Sequence, residues 1–247
     1  MRIDVEGGGY DSASEALYSG NRLAALSYDT LTADLAGYAG MAGDDSTSIE
    51  FAEQYDEAAA EVVGAIDDLV DALATVGMLT AASIENHRRA NAASVYNRPR
   101  PMYDSPAARA GDGPVDVPAY TPPSALGGNP SDTPDFWDEI VTHLEGFAWP
   151  NADTARLREA STTWANAERS LDRLPSYVDT ALGLLAGQRS PEIPVAEDAL
   201  KDLKQVCRDL ADACGDLSSS CIQRARTAHR TGREARPELP HAHPAQP

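Results

Sequence analysis

The sequence predicts an all-α fold: a long antiparallel helical hairpin, then a small helical bundle, joined by a linker rich in Pro and Gly. Three observations carry this. Apolar residues recur three and four apart through most of the chain, which is the pattern of a helix face. No strand-like alternation of useful length occurs anywhere. Nine of the 17 prolines fall between Ser94 and Pro134, where the periodicity stops.

The first helix is expected from about Asp11 to Gly37, with Leu17, Ala24, Leu31 and Tyr38 seven apart on one stripe. Residues 38–48, YAGMAGDDSTS, are dense in Gly, Asp and Ser and read as a turn. Within it, Ser46 or Ser48 can cap the next helix, and Thr47 with Glu50 has capping-box spacing.

The second helix, about 48–91, is the clearest signal. Ala52, Tyr55, Ala59, Val62, Ile66, Leu69, Leu73 and Val76 form a heptad seam that Ile84 continues. The opposite face carries Glu53, Glu57, Glu61, Asp67, Asp68 and Asp71. Such a helix is about 66 Å long, and the shorter first helix is expected to cover part of it. The stretch from Leu73 to Ile84 should then seek another hydrophobic surface. The second unit folding back, a second copy and a small helical partner are the three sources. Repulsion between acidic faces favours a heterologous partner with Lys or Arg at its rim. The candidate partner-interface residues are Phe51, Tyr55, Val62, Ile66, Leu69, Leu73, Val76 and Trp164.

Residues 94–134 read as a flexible tether between a hairpin over 1–93 and a helical domain over 135–232. In that domain Phe136, Ile140, Val141, Leu144 and Phe147 suggest a short helix, followed by a corner at Trp149-Pro150. Leu157, Ala160, Trp164, Ala167, Leu171 and Leu174 mark the next helix, from about Asp153 to Leu174, and Trp164 should be buried. Pro175 breaks it, and a shorter helix near Ser176–Gly187 ends before Ser190-Pro191. The last helix, about 195–231, carries Leu200, Leu203, Cys207, Leu210, Cys214 and Leu217 on one stripe. Glu197 and Asp198 near its start, and Arg224, Arg226 and Arg230 near its end, suit the helix dipole. The tail, 233–247, is expected to be disordered.

Chemistry is harder to find. A net charge of −19 argues against nucleic acid, whose phosphates call for clustered Lys and Arg. No run of about 18 apolar residues is present to span a bilayer, and the start lacks a Sec-type signal pattern. Cys207, Cys214 and Cys221 lie seven apart, roughly 10.5 Å between neighbours on one helix, too far for a disulfide, so a shared core face is expected. His87, His143, His229, His241 and His243 are scattered; the pair on the tail makes a weak metal site at best. There is no G-x-S-x-G, P-loop or dinucleotide fingerprint. The expectation is therefore no enzyme, no catalytic residue, no cofactor and no metal.

The helix, Gly-bearing turn and long helix, with GMAGDDSTSIEFAEQYDEAAAEV at 40–62, resemble the Trp-X-Gly family of type VII secretion substrates. Tyr38-Ala39-Gly40 stands near the place of the namesake Trp. The stretch FWDEIVTHLEGFAWPNADTARLREASTTWANAERSLDRL, 136–174, resembles the N-terminal domain of CpnT-like toxins, with Phe136-Trp137, Trp149-Pro150 and Trp164 as its aromatic landmarks. The Cys207–Cys214 helix is similar to the one that follows in those proteins. In such actinobacterial families the helical region routes a polymorphic toxin through the type VII apparatus. The resemblance thus implies a delivery or accessory module that pairs with a small Trp-X-Gly-like protein, a separately encoded toxin or a second copy. It implies contact with the secretion machinery, and secretion by a non-Sec route from a cytoplasmic pool. The family's export signal places an acid four residues after a Tyr, but Tyr96, Tyr103, Tyr120 and Tyr177 are followed there by Arg100, Ala107, Ser124 and Ala181. A partner carrying the signal would resolve this; a cytoplasmic chaperone, immunity-like protein or scaffold is the alternative.

Overall fold

A computed structural model describes residues 7–94, 113–128 and 151–234. In order they form α1 (Gly7–Leu35), a 3-10 turn (Ala36–Tyr38), α2 (Ser46–Ser94), α3 (Thr154–Leu171), α4 (Leu174–Leu185) and α5 (Ile193–Glu234). The described residues contain no strand, so the protein is all-α; an isolated antiparallel bridge joins Gly43 to Gly127. The expected helix over 136–147, the Trp149-Pro150 corner, His143 and the tail beyond 234 lie outside the described residues.

α1 and α2 pair antiparallel because each presents a continuous apolar stripe. Tyr10, Ala13, Leu17, Ala24, Tyr28, Leu31 and Leu35 face inward from α1, and the 52–84 seam faces them from α2. Each fully buried Leu here is worth about 2 kcal/mol over an exposed one. Two details set the spacing. A Cβ on Gly77 would lie 2.7 Å from the Tyr18 ring, so the glycine lets the helices close there, and Ser14 Oγ donates to Gly77 O at 2.9 Å. The turn between the helices bends through Gly40 (φ 72°) and Gly43 (φ 87°), a left-handed backbone that glycine adopts freely.

The N-cap of α2 is Asp45 rather than Ser46 or Ser48. Its Oδ1 accepts from the backbone N–H groups of Thr47 (2.8 Å) and Ser48 (3.0 Å). A carboxylate at this position satisfies two otherwise orphaned donors and suits the positive helix end. Asp153 does the same for α3, accepting from Ala155 and Arg156 at 3.0 Å. Pro175 lies within the first turn of α4, where a missing N–H costs nothing.

α3 and α5 run antiparallel, with Ser218 Oγ donating to Ser161 O at 2.7 Å, and α4 packs beside them. This three-helix unit does not stand apart from the hairpin. α5 packs along α2, α3 and α4 pack along α1, and one continuous core runs from Tyr10 to Ala225. That corrects two expectations. The partner-interface stripe is covered by the chain itself: Tyr55, Val62, Ile66, Leu69, Leu73 and Trp164 are buried, and Phe51 and Val76 are packed against the same core. α1 also begins earlier than expected and reaches the far end of the seam, with Tyr10 edge-on to His87 and Asp11 paired with Arg88. The apolar band was too wide for one hairpin, and the second unit supplies the missing cover.

Part of the expected tether is likewise held in place. Residues 113–128 lie extended on the hairpin, bonded to Asn21, Tyr28, Asp56 and the 40–43 turn. Prolines keep the segment extended, and polar side chains of α1 and α2 satisfy its backbone.

Candidate functional site

Two clusters of polar side chains join hairpin and bundle, one at each end of the seam, with an aromatic contact between them; Thr163, bonded to Tyr38, and Asn151, bonded to Asp44 N, add further links. Near the turn, Arg224 of α5 reaches the N-terminus of α2. Its Nη1 donates to Thr47 Oγ1 (2.9 Å); its Nη2 donates to Ser48 Oγ (2.5 Å) and Ala42 O (3.1 Å) and lies 3.4 Å from Asp45 Oδ2. The guanidinium also sits 5.9 Å from the Phe51 ring centre. Burial alone would raise the Asp45 pKa, but hydrogen bonds from Thr47 and Ser48, with the Arg224 charge, hold it below the usual carboxylate range. A buried guanidinium at a positive helix end is tolerated because Asp45 neutralises it and the neighbouring oxygens solvate it.

In the middle, Trp164 Nε1 donates to Tyr55 Oη at 2.9 Å, and Tyr55 stacks on Phe51 with centroids 5.7 Å apart. Burial pushes the Tyr55 phenol well above its ordinary value. Cys207, Cys214 and Cys221 are fully buried free thiols on α5. Burial raises the first to about 11 and the other two to about 12, so the thiolate form is disfavoured at neutral pH. They are core side chains.

At the far end, Glu192 just before α5 gathers residues from three elements. Its Oε1 accepts from Ser83 Oγ (2.9 Å), His87 Nε2 (2.6 Å) and Tyr10 Oη (3.1 Å), while Ser190 Oγ donates to Oε2. Burial opposes ionisation, yet the bonds from Ser190 and His87 bring the carboxyl down to about 2. Burial, then the Glu192 charge, raises the Tyr10 hydroxyl to about 12. A Ser, a His and an acid together invite comparison with a hydrolytic triad, and the geometry rejects it. Ser190 Oγ and Glu192 both meet the same His87 nitrogen, Nε2. With Glu192 ionised, that nitrogen carries the proton and has no lone pair for a serine hydroxyl. A triad needs the acid and the nucleophile on opposite ring nitrogens. The cluster is a clasp between α1, α2 and the α4–α5 turn.

Sequence reading placed Trp164 and the cysteines inside, but missed both clasps. Arg224 was assigned to the helix dipole, and Glu192 and Asn21 were not singled out. Asp45 had a local signal, an acid just before a helical run. Arg224 and Glu192 had none, since their partners, the neighbouring Ser190 apart, lie more than 100 residues away.

These features define a class: an all-helical fold of two units locked along one seam, with no described helix long and apolar enough to cross a membrane. Among the described residues no group of three or more His, Cys, Asp or Glu could hold a metal. No family model and no solved structure matches the chain. Over 203 residues, 81% of its length, it is 34% identical to the outer membrane channel protein CpnT of Mycobacterium tuberculosis, and equally to CpnT of Mycobacterium bovis BCG. It is 34% identical over 178 residues, 70% of its length, to Mav of Mycobacterium avium, whose name describes an NAD(+)–arginine ADP-ribosyltransferase. The chain spans 23% of CpnT and 20% of Mav. It carries a CpnT-like domain. At 81% of the chain, the likeness extends beyond 135–232 into the hairpin.

Proposed function

We propose that the chain is a non-catalytic helical module that targets or delivers a toxin through type VII secretion, or assists that export, by pairing with a helical partner. The supporting observation is the pair of relatives. One is named as a channel and the other as a transferase, yet a region like this chain makes up about a quarter or less of each. A region shared by proteins of different stated activity suits routing rather than chemistry. The Trp-X-Gly resemblance of the hairpin agrees with that role. With the seam occupied internally, the pairing surface moves outward, to the exposed Met78 and Leu79 of α2 and Val195 of α5. Leu79 lies one turn from Ser83, and Val195 three residues past Glu192, so both neighbour the far clasp.

The test is export. An epitope-tagged chain should reach the culture filtrate and stay in the cells when the secretion ATPase is deleted. Leu79→Asp should abolish co-purification with a helical protein encoded nearby while leaving the unfolding midpoint unchanged. Retention in the cells of both strains, with a partner bound, would replace this reading by the cytoplasmic chaperone or scaffold, which the missing Tyr-x-x-x-acid pattern favours.

A further inference from the structure

We propose that the face formed by α1 and α2 is a binding site for an extended polypeptide. Residues 113–128 occupy it in this fold, and an extended segment supplied in trans can take their place. The inference holds whether or not the chain is exported.

The site is built around Asn21, which is fully buried. Its Nδ2 donates to Val115 O and to Val70 O, both at 3.0 Å, and its Oδ1 accepts from Val115 N at 2.8 Å. One carboxamide thus reads the N–H and the C=O of a single extended residue, whatever its side chain. Further along, Tyr28 Oη donates to Pro118 O at 2.8 Å. Asp56 accepts from Ala125 N (2.7 Å) and Ser124 Oγ (2.5 Å). The turn completes the track: Gly40 N donates to Ser124 O (3.0 Å), Ala42 N to Ala125 O (2.8 Å), and Gly127 N to Gly43 O (3.0 Å).

The hold is therefore on backbone atoms. Val115 is 41% exposed, and Ala125 is the one buried residue of 113–128; Val117 and Tyr120 add partial apolar contact. A segment with so little buried apolar surface is among the first to open. Opening without replacement exchanges the two Asn21–Val115 bonds for bonds to water, while the Asn21 bond to Val70 O still holds the carboxamide in place for an incoming backbone. The vacated site then calls for another backbone offering an N–H and a C=O at the same place. An extended chain does so, as in strand-addition and polyproline recognition. The ligand class follows: an extended, Pro-bearing segment with a residue other than Pro opposite Asn21, an apolar residue two places on and an aromatic three beyond that.

The test replaces residues 115–126 of the full chain by Gly and Ser of equal length and adds a fluorescent peptide of sequence 113–128. Saturable binding is expected, weakened at least tenfold by Asn21→Leu. The wild-type chain should bind at least tenfold more weakly, because its tethered segment competes at an effective millimolar concentration. No saturable binding to a replaced chain that circular dichroism shows to be folded would overturn the proposal, as would equal binding by the Asn21→Leu variant. If the replaced chain does not fold, protease sites placed within 95–112 and 129–150 of the full chain serve instead. After cleavage the 113–128 peptide should co-elute with the helices and exchange with labelled peptide; release without rebinding, or no exchange, overturns the idea.

Discussion

Trp164 of α3 donates its indole N–H to the hydroxyl of Tyr55 on α2, 2.9 Å away, and both side chains are buried where bundle and hairpin meet. A hydrogen bond across 109 residues of sequence, inside one core, ties the unfolding of the two units together. Trp164→Ala should cost about 3–5 kcal/mol. Tyr55→Phe, which strands the indole N–H, should cost about 1–2 kcal/mol. Urea unfolding followed by circular dichroism should show one transition that both changes move. Two transitions, with the hairpin's unmoved by Trp164→Ala, would mean that the units fold independently.

Arg224 is the bridge at the turn end. Arg224→Met keeps the apolar stem but leaves Asp45 without its counter-charge and removes the donors to Ser48, Thr47 and Ala42. A loss of about 3 kcal/mol is expected. In a double-mutant cycle with Asp45→Asn the two changes should couple by more than about 0.5 kcal/mol. Additive effects would show that Arg224 acts through packing alone.

The far clasp predicts a response to acid. The Glu192 carboxyl lies at about 2 in the folded protein, below its ordinary 4.5, so the folded state favours the ionised form. Its contribution is complete above pH 4.5 and is lost as the pH falls toward 2. Glu192→Gln should flatten the fall of the melting temperature over that window. Because Glu192 is partly exposed, the effect is expected to be modest. Identical pH profiles for the two proteins would contradict the assignment.

The three thiols give an independent report on the core. Their raised pKa values mean that stability is intact below about pH 9 and declines as the pH rises toward 11–12. At pH 8, Ellman's reagent should react with none of them in the native protein and with all three in denaturant. Fast reaction of any one without denaturant would place it outside the core.

Gly77 tests the helix spacing. Gly77→Ala puts a methyl within 2.7 Å of the Tyr18 ring, so the gain in helix propensity should be outweighed by the clash. A net loss of about 1–2 kcal/mol is expected by thermal melting. A stabilised variant would show that Tyr18 swings aside.

What the sequence determined by itself was local and periodic. The three-and-four spacing from Ala52 to Val76 set α2 and its inward face. Trp164 and the cysteines fell on the apolar stripes that became the core, and Pro175 marked the start of α4. These follow from interactions within a few turns of one helix, which residue order encodes directly. The tertiary structure alone decided what covers the α2 seam, since an apolar stripe states that it must be buried and not by what. It also decided that Arg224, Glu192 and Asn21 have buried or half-buried partners rather than solvent. Apart from the local Ser190–Glu192 bond, their hydrogen bonds reach 49 to 182 residues along the chain, a distance at which residue spacing carries no signal. Residues 113–128 make the same point: Pro and Gly foretold a break in the helices and a flexible tether, and only the packed helices supplied the groups that hold this part of it extended.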